Sequence, residues 1–177
     1  MKRFGKLWLL LAAFALPVGL AQLMLSMQWY QGGVTNRGQL LDPPLSAPGV
    51  AQAGRWQLLY VLPDDCDVAC AGALFHLRQI PQAVGAERDR VASLLLVNGS
   101  AGQDNELLRG LKAATVPASL LKRLQATEYG AQAIYLVDPL GNILMAYPLE
   151  SAQPAILAQG KDVLRDLKRL LKVSKIG

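Results

Sequence analysis

The chain has 177 residues, room for one ordinary domain with appendages, and 52% of them are apolar, ample for a core. The formal charge of +5 does not mark a nucleic-acid surface. Lys2, Arg3 and Lys6 carry +3 before the first apolar run, and six basic against two acidic residues from Lys161 onward carry +4. The middle is therefore at −2, with no interleaved basic and aromatic patch, and nucleic acid is excluded as a partner.

A short basic start, MKRFGK, precedes 21 uncharged residues, Leu7–Met27. As a helix this run is about 31 Å long, enough to span a bilayer core. The positive flank keeps the N-terminus in the cytosol and sends the remainder across. Pro17 is tolerated in a membrane helix. A signal peptide cut after Ala21 is the competing reading. The run stays apolar past that point, through Leu23, Met24, Leu25 and Met27, and Trp29 and Tyr30 follow as interfacial aromatics. An anchor over residues 1–30 accounts for this better. The predicted location is the inner (cytoplasmic) membrane, single-pass, with the C-terminal domain in the oxidising periplasm.

Residues 31–55 are rich in Gly, Pro, Asn and small side chains and read as a linker, with "NRGQLLDPP" as an extended arm along the domain. The domain spans 56–177. Trp56–Leu62 is a buried strand stopped by Pro63. A helix follows the cysteines, with Leu74, Phe75 and Leu77 toward a sheet, Pro81 bending or breaking it, and Gly85 ending it. Arg90–Gly99 is a second buried strand, and "GSAGQDNE" a polar loop. "NELLRGLK" and "PASLLKRLQA" are short helices. Ala133–Val137 and Ile143–Tyr147 form a hairpin around "DPLGN". The last helix buries Val163, Leu164, Leu167, Leu170 and Leu171. Its basic face, Arg165, Lys168, Arg169 and Lys172, is solvated or, secondarily, meets an anionic membrane. The expected fold is α/β: a thioredoxin-like mixed sheet with flanking helices.

Cys66 and Cys70 are the only cysteines. A C-x3-C pair at the mouth of a helix puts the second thiol about one turn from the first, so the two sulfurs can meet. The helix N-terminus favours the nearer thiolate, and two thiolates can also hold Cu(I). Asp64, Asp65 and Asp67 crowd the pair, disfavouring a thiolate and favouring a cation. A loop this short gains little chain entropy on closure, so stapling alone explains the pair poorly.

The motif order resembles the SCO/SenC family, thioredoxin-like, membrane-anchored assembly factors for cytochrome c oxidase. Cys66 and Cys70 match the family's cysteine spacing, "CAGALFHLRQIPQAVGAERDRV" resembles the following helix and strand entry, "AIYLVDPLGNIL" its hairpin, and "LKRLLK" its last helix. The likeness covers Trp56 to Leu171. Asp-Val-Ala stands inside the pair where the family has Pro-acid-aliphatic, and Gly130 stands where the family's copper-binding His would be. The lone histidine, His76, reads as a surface or half-buried helix residue, and Met145 as core rather than a soft ligand. No proline directly precedes Ile134, unlike the cis-proline of thioredoxins.

The resemblance implies an assembly factor acting through protein contact and its cysteine pair, with cytochrome c oxidase subunits or other assembly factors as partners. The alternatives are a membrane-tethered thiol–disulfide oxidoreductase, with Cys66 attacking and Cys70 resolving, and a Cu(I) chaperone using Cys66, Cys70 and a further ligand.

Overall fold

The structure, a computed structural model, describes residues 2–27, 35–47, 49–50, 52, 54–98 and 108–176. Two units are distinct: residues 1–35 and 36–177.

The first unit holds helix α1, Lys2–Ser26, which runs through Pro17 unbroken. Its Trp8–Ser26 stretch is long and apolar enough to cross a membrane, a property that an anchor and a signal sequence share. Trp29 and Tyr30, expected as interfacial aromatics, lie outside the described residues.

The second unit is a six-stranded sheet flanked by helices. Its elements are β1 (Gln39–Ser46), β2 (Trp56–Val61), α2 (Val68–Ala83), β3 (Val91–Val97), β4 (Lys112–Thr115), α3 (Ala118–Gln125), β5 (Ala133–Val137), β6 (Asn142–Pro148) and α4 (Gln153–Val173). The strand order is β1-β6-β5-β2-β3-β4. β2, β3 and β4 run parallel, while β5, β6 and β1 are each antiparallel to their neighbour. Every residue of β2 and β5 is buried, as central strands covered on both faces must be.

Side-chain alternation splits the core in two. Leu58 and Tyr60 pack with Cys70, Leu74 and Leu77 of α2 and Val163, Leu167 and Leu171 of α4. Leu59 and Val61 pack on the other face with Leu120 and Leu124 of α3. The expected α/β sandwich is the observed fold, and the hairpin is closed by Asp138, whose carboxylate accepts the Leu140 and Asn142 amides at 2.9 and 2.7 Å.

Phe75, Pro81 and Lys112–Thr115 differ from expectation. Phe75 does not face the sheet; it is 46% exposed. Pro81 does not break α2, which continues to Ala83. Its ring nitrogen cannot donate to the Leu77 carbonyl, and the Ser93 hydroxyl of β3 donates there instead. Lys112–Thr115, expected partly within a helix, is the edge strand β4; the start of "NELLRGLK" and the loop "GSAGQDNE" fall mostly outside the described residues.

The arm before the domain is built into the sheet. β1 pairs with β6 at both ends and is irregular between Leu40 and Leu45, where Pro43 and Pro44 have no amide to give. An edge strand tolerates this and is blunted by it. The buried Asp166 carboxylate of α4 anchors the entry to β1. Its Oδ2 accepts the Arg37 and Gly38 amides at 2.7 and 2.9 Å and the Tyr147 hydroxyl at 3.1 Å. Burial, then the Asp166 charge, push the Tyr147 hydroxyl far above its ordinary range. A Cβ on Gly38 would sit 2.5 Å from the Tyr147 ring, so only glycine fits this approach.

His76 joins α2 to α4 and corrects the surface reading: it is buried, with Nε2 2.9 Å from the Ile156 carbonyl. Gly160 makes room, since a Cβ there would lie 2.5 Å from the imidazole. Burial lowers the His76 pKa, only partly offset by the bond to Ile156.

Two outcomes follow from these contacts. Ser93→Ala leaves the Leu77 carbonyl without a donor and is expected to cost about 1 kcal/mol in denaturant unfolding. Pro81→Ala restores the helical donor, so Ser93→Ala should cost markedly less in that background; equal costs would show the two are not linked. His76 is neutral in both states above about pH 7. As pH falls through 6.5 the unfolded chain takes the proton first, so stability drops until the lower folded-state pKa is passed. The stability difference between the native chain and His76→Gln, measured from pH 7.5 to 5, should shrink accordingly; a constant difference contradicts this.

Candidate functional site

β2 ends at Val61, the chain turns through Pro63–Asp65, and α2 begins at Val68. Asp67 is the N-cap: its backbone is extended, and its Oδ1 accepts the Cys70 amide at 2.9 Å. Cys66 therefore lies just outside the helix and Cys70 in its first turn. They form a disulfide with Cα atoms 5.2 Å apart. The two sulfurs have unlike surroundings. Cys66 is exposed, whereas Cys70 is 1% exposed and packs among Leu58, Tyr60 and Leu74.

The electrostatics oppose a thiolate here. Asp64, Asp65 and Asp67 are all exposed around the pair, and no Lys or Arg occurs from Leu58 to Leu77. The Cys70 amide, a donor that a thiolate at a helix N-terminus would use, is engaged by the Asp67 carboxylate. Tyr60, on β2 below this turn, is pushed up to about 12 by burial first and the Asp67 charge second, so its hydroxyl stays protonated.

Antiparallel pairing sets the start of β5 beside the end of β2, with Leu59 opposite Tyr135 and Gln57 opposite Val137. The segment leading into β5 thus reaches the disulfide end of the sheet. Gly130, at the position of the resembled family's histidine, has a φ of 55°, and its carbonyl accepts the Tyr135 hydroxyl. That conformation favours glycine. The one cis peptide among the described residues, Asp42–Pro43, is in β1 and not before β5.

The residues present do not complete a copper site. Among the described residues no three His, Cys, Asp or Glu side chains converge on one point. The His76 Nε2 is committed to Ile156, and Met145 is core, pairing with Leu136 across the hairpin with its sulfur 3.8 Å from the Tyr147 hydroxyl. Two sulfurs, joined to each other, are what remains for Cu(I).

Sequence reasoning identified the pair but took Asp67 only as crowding charge. An aspartate directly before a helical apolar pattern was a legible cap signal. Tyr60 and Asp166 gave none, because their roles depend on contacts distant in sequence.

No curated protein matches the chain. Several solved structures are similar to it, these three among them. A SCO1/SenC family lipoprotein from Bacillus anthracis shares 12% identity at TM-score 0.47, over 80% of this chain and 98% of its own. The bacterioferritin comigratory protein of Xanthomonas campestris, studied for alkyl peroxide reduction, shares 20% at TM-score 0.45, over 72% and 90%. ScoI of Bradyrhizobium japonicum, with copper bound, shares 18% at TM-score 0.37, over 70% and 97%. Likenesses this distant say nothing of activity. The model of the family described as "Transmembrane-like, thioredoxin-like, C-terminal domain" matches residues 56–174. With that match over more than half its length, the chain belongs to this family of thioredoxin-like domains.

Proposed function

We propose that the chain is a membrane-anchored, periplasmic thiol–disulfide exchange protein working through Cys66 and Cys70. The observation that carries this is the disulfide at the mouth of α2, with Cys66 an exposed residue and Cys70 a buried one. A partner thiolate attacks Sγ of Cys66 and forms a mixed disulfide, and Cys70 leaves with the electron pair of the broken S–S bond. The partner's second thiol then attacks the partner sulfur bonded to Cys66, forming the partner disulfide and releasing Cys66 as the leaving thiolate. The partner pair ends oxidised and Cys66 and Cys70 reduced, with two protons passing from partner to protein through solvent.

The motif likeness to the SCO/SenC family supports a physiological setting in cytochrome c oxidase assembly. The clients there would be cysteine pairs of oxidase subunits or other assembly factors. Copper carriage by this chain alone ranks lower, because no third His, Cys, Asp or Glu joins the pair among the described residues to match the resembled family's ligand set.

The reduction potential of the full chain in neutral detergent, equilibrated against glutathione buffers, tests the proposal. An exchanging pair is expected between about −270 and −120 mV; a value below about −300 mV marks a structural staple and overturns it. Asp67→Asn keeps the cap and removes its charge. In the reduced chain the exposed thiol should then be alkylated faster across the neutral pH profile. An unchanged profile would show that Asp67 does not govern the pair.

A further inference from the structure

The face of α2 turned away from the sheet carries a second apolar stripe. Cys70, Leu74, Leu77 and Ile80 face the core, but Val68, Ala71 and Phe75 recur at three- and four-residue spacing on the outside. A solvated face would be polar there. Val68 is 59% exposed and Phe75 46%, and across from them Leu157 of α4 is 54% exposed. Between them lies a groove of about 380 Å³ floored by Gly72 and Ile156. Gly72 sets its depth, since a Cβ there would come within 3.0 Å of Ile156. Val68 is the first residue of α2, two along the chain from Cys66, so the groove begins at the end of the helix that carries the disulfide.

We propose that this groove seats the partner segment that exchanges with Cys66, and that the segment is a cationic polypeptide with an apolar side chain near its cysteine. This rests on the exchange reading above. The apolar requirement comes from Val68, Phe75 and Leu157. The cationic requirement comes from charge complementarity: Asp64, Asp65 and Asp67 surround the sulfur, and no basic residue from Leu58 to Leu77 offsets them. The same charges slow the approach of anionic thiols such as glutathione. The chemistry is the exchange already written: two peptide thiols become one peptide disulfide, and the Cys66–Cys70 bond becomes two thiols.

The test measures second-order rates of disulfide opening in the full chain in neutral detergent. The probes are a peptide of sequence Lys-Leu-Cys-Leu-Lys, a peptide of sequence Glu-Ser-Cys-Ser-Glu, and dithiothreitol, with rates expressed per thiolate. The cationic apolar peptide should react at least tenfold faster than the anionic polar one. In the double variant Phe75→Ser, Leu157→Ser, most of that advantage should vanish while the dithiothreitol rate stays within twofold, which also reports an intact site. Asp64→Asn with Asp65→Asn should narrow the gap independently of the groove. Equal peptide rates in the native chain, or a preference untouched by the groove variant, would overturn this inference and leave exchange standing. A disulfide inert to all three thiols would instead overturn the exchange reading itself.

Discussion

The bond from the Cys70 amide to the Asp67 carboxylate fixes where α2 begins, and the site depends on that point. A helix turns about 100° per residue, so the point where α2 begins decides which residues join its apolar face and which stay before it. With Val68 as the first residue, Cys70, Leu74 and Leu77 point inward and Cys66 is left outside, before the cap. The unequal exposure of the two cysteines is a consequence of that starting point. So is the exposed stripe of Val68 and Phe75, which occupies the face the sheet does not use. The cap also has an electrostatic effect. It places a carboxylate where an ordinary redox site would offer a free amide to a thiolate.

The remaining contacts hold the frame around that helix. His76 and Gly160 let α4 come close to α2, and the Ser93 hydroxyl takes the carbonyl that Pro81 leaves open. Asp166 fastens the arm before β1 to the same helix α4. Each is a polar group spent on packing rather than chemistry. His76 is the clearest case, a lone imidazole six residues beyond Cys70 whose nitrogen is used between helices.

Much of this was legible in the sequence where the signal is local. The mostly apolar runs at Trp56–Leu62 and Arg90–Gly99 marked buried strands, the "DPLGN" turn marked the hairpin, and the spacing of Val163, Leu167 and Leu171 marked the last helix. Strand β4 was not legible. It is four residues long, mostly exposed at the sheet edge, and carries no apolar pattern. Phe75 was misread because its hydrophobicity says nothing of which face it occupies, and the two stripes of α2 separate only once the cap is placed. Pro81 was expected to break the helix because its missing donor is visible in sequence, whereas the compensating Ser93 is on another strand. At the site, the cysteine pair and its place at a helix mouth could be read from spacing. Which cysteine is buried could not, since that follows from packing against Leu58 and Tyr60.

The account turns on Cys66 being the sulfur that partners reach. The direct measurement is to react the full chain briefly with a radiolabelled thiol, quench with acid, and locate the first mixed disulfide by peptide mapping. The account predicts label on Cys66, with Cys70 as the free thiol. Label mainly on Cys70, or divided evenly between the two, would contradict it.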